Sequence, residues 1–166
     1  MKMQFTYNIF LIGFMGSGKS TVADYLCEKF DMDVVEMDQV IAERERMSIS
    51  DIFEKHGELY FRDLETKLLV ELQEKTNTVV SCGGGVAMRE CNVTEMKKNG
   101  KVVLLTAKPE TILERVENNH DRPLLENNKT VAYIAELMEK RREKYEAAAD
   151  MIIETDGKSA QKICEE

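Results

Sequence analysis

Residues 13 to 20 read Gly13-Phe14-Met15-Gly16-Ser17-Gly18-Lys19-Ser20 and follow directly on a β-rich run, Tyr7-Asn8-Ile9-Phe10-Leu11-Ile12. The pattern G-x-x-x-x-G-K-[ST], set between a strand and a helix, leaves few architectures open. Its glycines let the backbone curl so that successive N–H groups point into one concavity, and the helix that starts near Lys19 adds its positive end. Such a loop suits the phosphates of a nucleotide. Gly16, Ser17, Gly18, Lys19, Ser20 and Thr21 are the expected nucleotide-binding residues, with Lys19 reaching the β- and γ-phosphates and the Ser20 hydroxyl taking a place on Mg²⁺. A glycine-rich strand-to-helix turn that binds nothing is the plain alternative.

The remaining pattern alternates short β-rich runs with helical stretches, the mark of an α/β domain with a mainly parallel sheet. A helix is expected over Lys19 to Lys29, with Val22, Leu26 and Lys29 on one face, then a strand at Asp33 to Glu36. From Gln39 to Lys75 the chain is helical by pattern with no strand signal. An excursion of that length usually builds part of a substrate site. Further strands are expected at Thr78 to Ser81, Lys101 to Thr106 and Asp150 to Glu154. Helices are expected from Pro109 to about Val116, from Thr130 to Ala149 and from Lys158 to Glu166. Between them Glu117 to Lys129 is polar and rich in asparagine, and reads as a lid loop.

Composition narrows the partners. The chain has 166 residues, 43% of them hydrophobic, enough for one ordinary core, so residues 1–166 are read as a single domain. A formal net charge of -8 repels polyanions and argues against a nucleic-acid or anionic-membrane binder. It leaves small anionic ligands open, because a few local Arg and Lys decide those. The four cysteines, Cys27, Cys82, Cys91 and Cys164, lack the C-x-x-C spacing of a zinc or redox site. Gln4, Thr6 and Asn8 interrupt the apolar start, and no stretch approaches the roughly 20 apolar residues that span a bilayer. A cytoplasmic enzyme with no membrane partner is the expectation.

Four further groups carry possible chemistry. Glu36 and Asp38 stand two residues apart at a strand end, hence on one face if the backbone stays extended. One could help hold hydrated Mg²⁺ and the other accept the proton of an attacking hydroxyl, or Asp38 could simply cap the following helix. Arg62 and Glu65, at i and i+3 of a helix, can pair, as exposed pairs on solvated faces also do. Gly83-Gly84-Gly85 ends the third strand with bare N–H groups for a closely approaching substrate, or is a flexible turn. Arg122 in the lid loop could swing over a transferring phosphoryl group or stay solvated, and Arg141 lies in a basic cluster on the next helix. A phosphate loop serves GTPases, motors and kinases alike. The chain is short for a motor and has no [NT]-K-x-D-like guanine-reading tetrapeptide, so a compact small-metabolite kinase is the best class.

Taken together the motifs resemble the shikimate kinase family over nearly the whole chain: G-F-M-G-S-G-K-S, an acid-x-Asp at the second strand, S-I-x-D-I-F (Ser48 to Phe53), G-E-x-x-F-R-x-x-E (Gly57 to Glu65), S-C-G-G-G, D-R-P-L-L (Asp121 to Leu125) and R-x-x-x-Y (Arg141 to Tyr145). Their joint order is what makes the match specific. The resemblance implies a three-layer αβα P-loop kinase fold around a five-stranded parallel sheet. It implies transfer of the ATP γ-phosphoryl group to the 3-hydroxyl of shikimate, with Mg²⁺ as cofactor, in a monomer. By the same resemblance Arg62 and Arg141 grip the substrate carboxylate, a planar task suited to guanidinium. Asp38, Gly83, Gly84 and Gly85 match substrate-binding positions, and Asp38 is the base or hydroxyl-orienting group. Lys19 and Arg122 stabilise the transferring charge, Arg115 packs on the adenine face, and Ser20 and Glu36 serve the metal. Glu36 departs from the aspartate usual in the family. Gluconate or nucleoside-monophosphate kinases are the alternative, and a nucleotide-binding module without catalysis is a third reading.

Overall fold

The computed structural model describes residues 7–13, 19–83, 85–98, 100–116 and 131–155, with backbone alone at 113–116, 131 and 133. The elements in chain order are β1 (Asn8–Ile12), α1 (Lys19–Phe30), β2 (Asp33–Glu36), α2 (Met37–Glu45), α3 (Ile49–Glu71), β3 (Thr78–Ser81), α4 (Glu90–Lys98), β4 (Gly100–Thr106), α5 (Pro109–Val116), α6 (Val131–Ala148) and β5 (Met151–Glu154). Single 3-10 turns at Leu72–Glu74 and Val86–Met88 flank β3. The five strands form one parallel sheet in the order β2-β3-β1-β4-β5.

Side chains alternate across the sheet, so each central strand feeds two cores. Phe10, Ile12, Val80, Val102 and Leu104 face the larger one, with residues of α2, α3, α4 and α6. Leu11, Val79 and Leu105 face the smaller one, with Val22, Ala23 and Leu26 of α1. This two-sided burial is why the strands read as apolar runs rather than as alternating ones. On α1 the expected partner Lys29 is exposed, and Phe30, eight residues after Val22, packs on the core instead. The polar Asn8 is fully buried because its amide is spent on backbone. It donates to the carbonyls of Leu72 and Lys75 (3.3 and 3.1 Å) and accepts from the Thr78 N–H (3.3 Å). That fixes where β3 begins beside β1.

The helical stretch after β2 is broken twice. Arg46 takes a left-handed conformation (φ 57°) that ends α2, and the Ser48 hydroxyl accepts from the Asp51 N–H to start α3. Within α3, Gly57 at φ 87° interrupts the helix. The helical pattern carries through these points because the breaks are short, three residues between α2 and α3 and one at Gly57. Among the described residues no helix is long and apolar enough to cross a membrane.

The chain leaves β1 through α1 on the face of the smaller core and leaves β3 toward α4 on the face of the larger one. Connections that depart on opposite faces from neighbouring parallel strands open a crevice at their C-terminal ends. The lid segment Glu117 to Lys129 and the expected closing helix Lys158 to Glu166 lie outside the described residues.

Candidate active site

At the mouth of β1, Lys19 and Ser20 open α1. The Lys19 ammonium donates to the Gly13 carbonyl at 2.7 Å. The Ser20 hydroxyl donates to Glu36 Oε2 at 3.1 Å, which joins the start of α1 to the last residue of β2. Thr21 stands exposed on the first turn. Gly16, Ser17 and Gly18 lie outside the described residues.

Glu36 and Asp38 do not share a strand face. β2 ends at Glu36 and Met37 is already helical, so the two carboxylates part. Glu36 turns to Ser20. Nor does Asp38 cap α2: the N-cap position is Glu36, whose side chain makes no capping bond, and Asp38 lies in the first turn. There the positive end of the helix favours its charge. Its Oδ1 is buried and points at Gly83, where a Cβ would stand 2.8 Å away.

Arg62 and Glu65 pair through Nη1 and Oε1 at 2.9 Å, as their spacing allows, but not on a solvated face. Glu65 is fully buried and the Arg62 side chain is only 15% exposed. The guanidinium also faces Glu58 at 3.6 Å and lies over the rings of Phe61 and Phe53 at 5.3 and 5.9 Å. The second oxygen of Glu65, Oε2, is buried without a hydrogen-bond partner among the described residues and lies 2.8 Å from the point where a Gly83 Cβ would stand. Burial pushes the Glu65 carboxyl up to about 7, Arg62 holds it down and Asp38 adds to the rise.

The glycines are therefore a matter of space. A Cβ on Gly83 would meet both carboxylates, and one on Gly85 would fall 2.4 to 2.7 Å from the Arg62 guanidinium. Residues 83 and 85 must lack a side chain for Asp38, Glu65 and Arg62 to pack against the strand end. Gly84 lies outside the described residues.

Arg141 reaches the same place from α6. Its Nη1 donates to the Tyr145 hydroxyl at 3.4 Å. Burial raises the pKa of that phenol, and Arg141 and Arg62 both pull it back, so one buried ring senses both guanidinium groups. Cys82 marks the centre. Its thiol is buried, which pushes its pKa well up, within the field of Lys19, Glu65, Asp38 and Glu36. Glu65 and Tyr145 stand in the sequence motifs, yet their contribution is burial, which spacing does not reveal. Arg115 lies on α5 with only its backbone described, and Arg122 is outside the described residues.

The crevice thus has two ends. One offers a lysine, a hydroxyl and a carboxylate beside a phosphate loop. The other offers two arginines and two carboxylates around small-residue backbone, suited to a compact molecule bearing a carboxylate and hydroxyls.

Comparison with known proteins finds relatives along nearly the whole chain. A family model described as Shikimate kinase matches residues 15–166. A shikimate kinase of Sulfurihydrogenibium sp. (strain YO3AOP1) is 45% identical over 159 residues, 96% of this chain and 94% of that protein. A shikimate kinase of Persephonella marina is 46% identical over 159 residues, 96% of this chain and 95% of the relative. The structure of a shikimate kinase from Acinetobacter baumannii in complex with shikimate superimposes with a TM-score of 0.90 at 33% identity, over 96% of this chain and 89% of that one.

Proposed function

The chain belongs to the shikimate kinase family, and from that premise we propose that it transfers the ATP γ-phosphoryl group to the 3-hydroxyl of shikimate, giving shikimate 3-phosphate and ADP in the cytoplasm. The observation that carries the reading is the acceptor end: Arg62 set against Gly85, with Asp38 and Glu65 both facing Gly83.

The proposed mechanism is positioning and electrostatics. Arg62 and Arg141 bind the shikimate carboxylate, and the bare backbone of Gly83, Gly84 and Gly85 lets the ring lie close to the strand. Asp38 accepts a hydrogen bond from the 3-hydroxyl and orients its oxygen toward the γ-phosphorus. Asp38 takes the proton as the new O–P bond forms and the bond to the β-phosphate oxygen breaks. Lys19 and the lid residue Arg122 stabilise the negative charge on the transferring group, Gly16, Ser17, Gly18 and Thr21 line the phosphates, and Arg115 packs on adenine. Closure of residues 117–129 excludes water, so that ATP is not hydrolysed.

The Ser20 hydroxyl and Glu36 carboxylate, 3.1 Å apart, are hard oxygen donors of the type Mg²⁺ takes. When bound with ATP, Mg²⁺ supplies charge neutralisation to the phosphates. Glutamate in place of the family's usual aspartate adds one methylene and keeps the negative charge that would face the hydrated metal.

ADP release from Mg-ATP, measured with shikimate, gluconate and AMP side by side, tests the assignment. Stimulation by shikimate alone is the expected result. Stimulation by gluconate or AMP without shikimate would overturn it.

A further inference from the structure

Outside the residues that would touch a substrate lies a chain of polar side chains with one direction. Arg89 Nη1 donates to the Thr66 hydroxyl at 3.2 Å and pairs with Asp63 at 2.9 Å. The Thr66 hydroxyl donates to Asn92 Oδ1 at 2.7 Å, and Asn92 Nδ2 donates to the Val86 carbonyl at 2.9 Å. Asn92 has no exposed surface. It is the first-turn residue of α4 that has been taken fully inside, and a buried amide is costly unless its donor and acceptor are both used. Here both are used, one toward α3 and one toward the glycine turn.

What the chain connects is the informative part. Thr66 follows Arg62 by one helical turn and Glu65 by one residue, and its Oγ1 also lies 3.2 Å from the Arg62 carbonyl. Val86 directly follows Gly85, whose backbone approaches the Arg62 guanidinium so closely that a single added carbon would overlap it. The distance between Arg62 and the Gly85 backbone is therefore set with no slack. The Thr66–Asn92–Val86 chain is a direct polar link between the two segments that define it.

Resting on the functional reading above, we propose that Thr66 and Asn92 are positioning residues for the acceptor end. They hold the turn of α3 that carries Arg62 at a fixed distance from the glycine turn, and so set the affinity for the substrate carboxylate without touching it. Arg89 donates to the Thr66 oxygen, and the one hydroxyl proton goes to Asn92 Oδ1 at 2.7 Å in preference to the more distant Arg62 carbonyl at 3.2 Å. The link spans 26 positions of sequence between Thr66 and Asn92, and none of the three residues belongs to the phosphate end.

Thr66→Val keeps the shape and removes the hydroxyl, and Thr66→Ser restores it. With Mg-ATP saturating, the KM for shikimate should rise about fivefold in Thr66→Val, the weight of one buried hydrogen bond. It should return toward the wild-type value in Thr66→Ser. The KM for ATP should stay within about twofold throughout. A lowered Tm with an unchanged shikimate KM would mean the network is only structural, and would overturn the proposal. So would an equal rise in both KM values. If Thr66→Val does not fold, the variant Arg89→Met, at a partly buried position, decides by the same criterion, with a rise of about twofold expected in shikimate KM alone. Wild-type protein that fails to release ADP with shikimate would instead overturn the functional reading, so the two failures are distinguishable.

Discussion

The two ends of the crevice are built differently. The phosphate end is local: Lys19 and Ser20 belong to one eight-residue motif, are only partly buried or exposed, and reach the Gly13 carbonyl and Glu36 respectively. The acceptor end draws Asp38 from α2, Arg62 and Glu65 from α3, Gly83 and Gly85 from the end of β3, and Arg141 and Tyr145 from α6. Glu65, Gly85 and Tyr145 are buried there, Asp38, Arg62 and Gly83 are partly buried, and the spaces at Gly83 and Gly85 are smaller than a methyl group. Phosphates are common to every ATP-dependent kinase and are held by backbone and point charge. A particular acid must be recognised by shape, which takes groups from several elements fixed at close range.

If that division holds, damage at one end should leave the other intact. The largest effect is expected for Lys19→Ala, with kcat falling about a thousandfold while the Tm is unchanged and shikimate still binds, as isothermal titration would show. Loss of shikimate binding in that variant would mean the ends are not separable.

Gly85→Ala comes next. The added carbon would overlap the Arg62 guanidinium, which Glu65 and Glu58 hold in place, so Arg62 must give up its position. A rise of roughly 10- to 100-fold in shikimate KM with little change in ATP KM is expected, the cost of one charged contact. Steady-state kinetics with each substrate varied in turn checks this. An equal rise in both would sink the division.

The smallest effect sharpens the comparison rather than breaking it. The folded-state carboxyl of Glu65 is raised from 4.5 to about 7, so between those values the folded chain binds more proton than the unfolded one. Its contribution to stability is fully present below pH 4.5 and is lost as the pH rises through about 7. The Tm should thus decline across that window more steeply in wild type than in Glu65→Gln, as thermal melts at half-unit pH steps would reveal.

The same contrast explains what could be read from the sequence. Strand ends and helix starts such as Thr78–Ser81 and Pro109–Val116 lie where the pattern predicts, because they depend on neighbours in the chain. The Arg62–Glu65 pair follows from spacing, but its burial does not, since that depends on Phe53, Phe61 and the glycine turn closing over it. Glu36 and Asp38 diverge because the chain turns helical at Met37, one residue earlier than alternation of side chains would allow. Thr66 and Asn92 gave no signal, being ordinary polar letters until two distant helices meet. Net charge leaves the site open for the same reason: a chain at -8 brings Lys19, Arg62 and Arg141 to one crevice because folding sorts charge locally.

Cys82 has a practical consequence. Its thiol is buried at the centre of the site and its raised pKa keeps it protonated, whereas Cys27 and Cys91 are exposed. An alkylating reagent therefore marks Cys27 and Cys91 quickly and reaches Cys82 only when the end of β3 separates from its neighbours. The rate of that slow modification, followed by mass spectrometry, is a built-in clock for local opening of the crevice floor, and ligands that clamp the two ends together slow it.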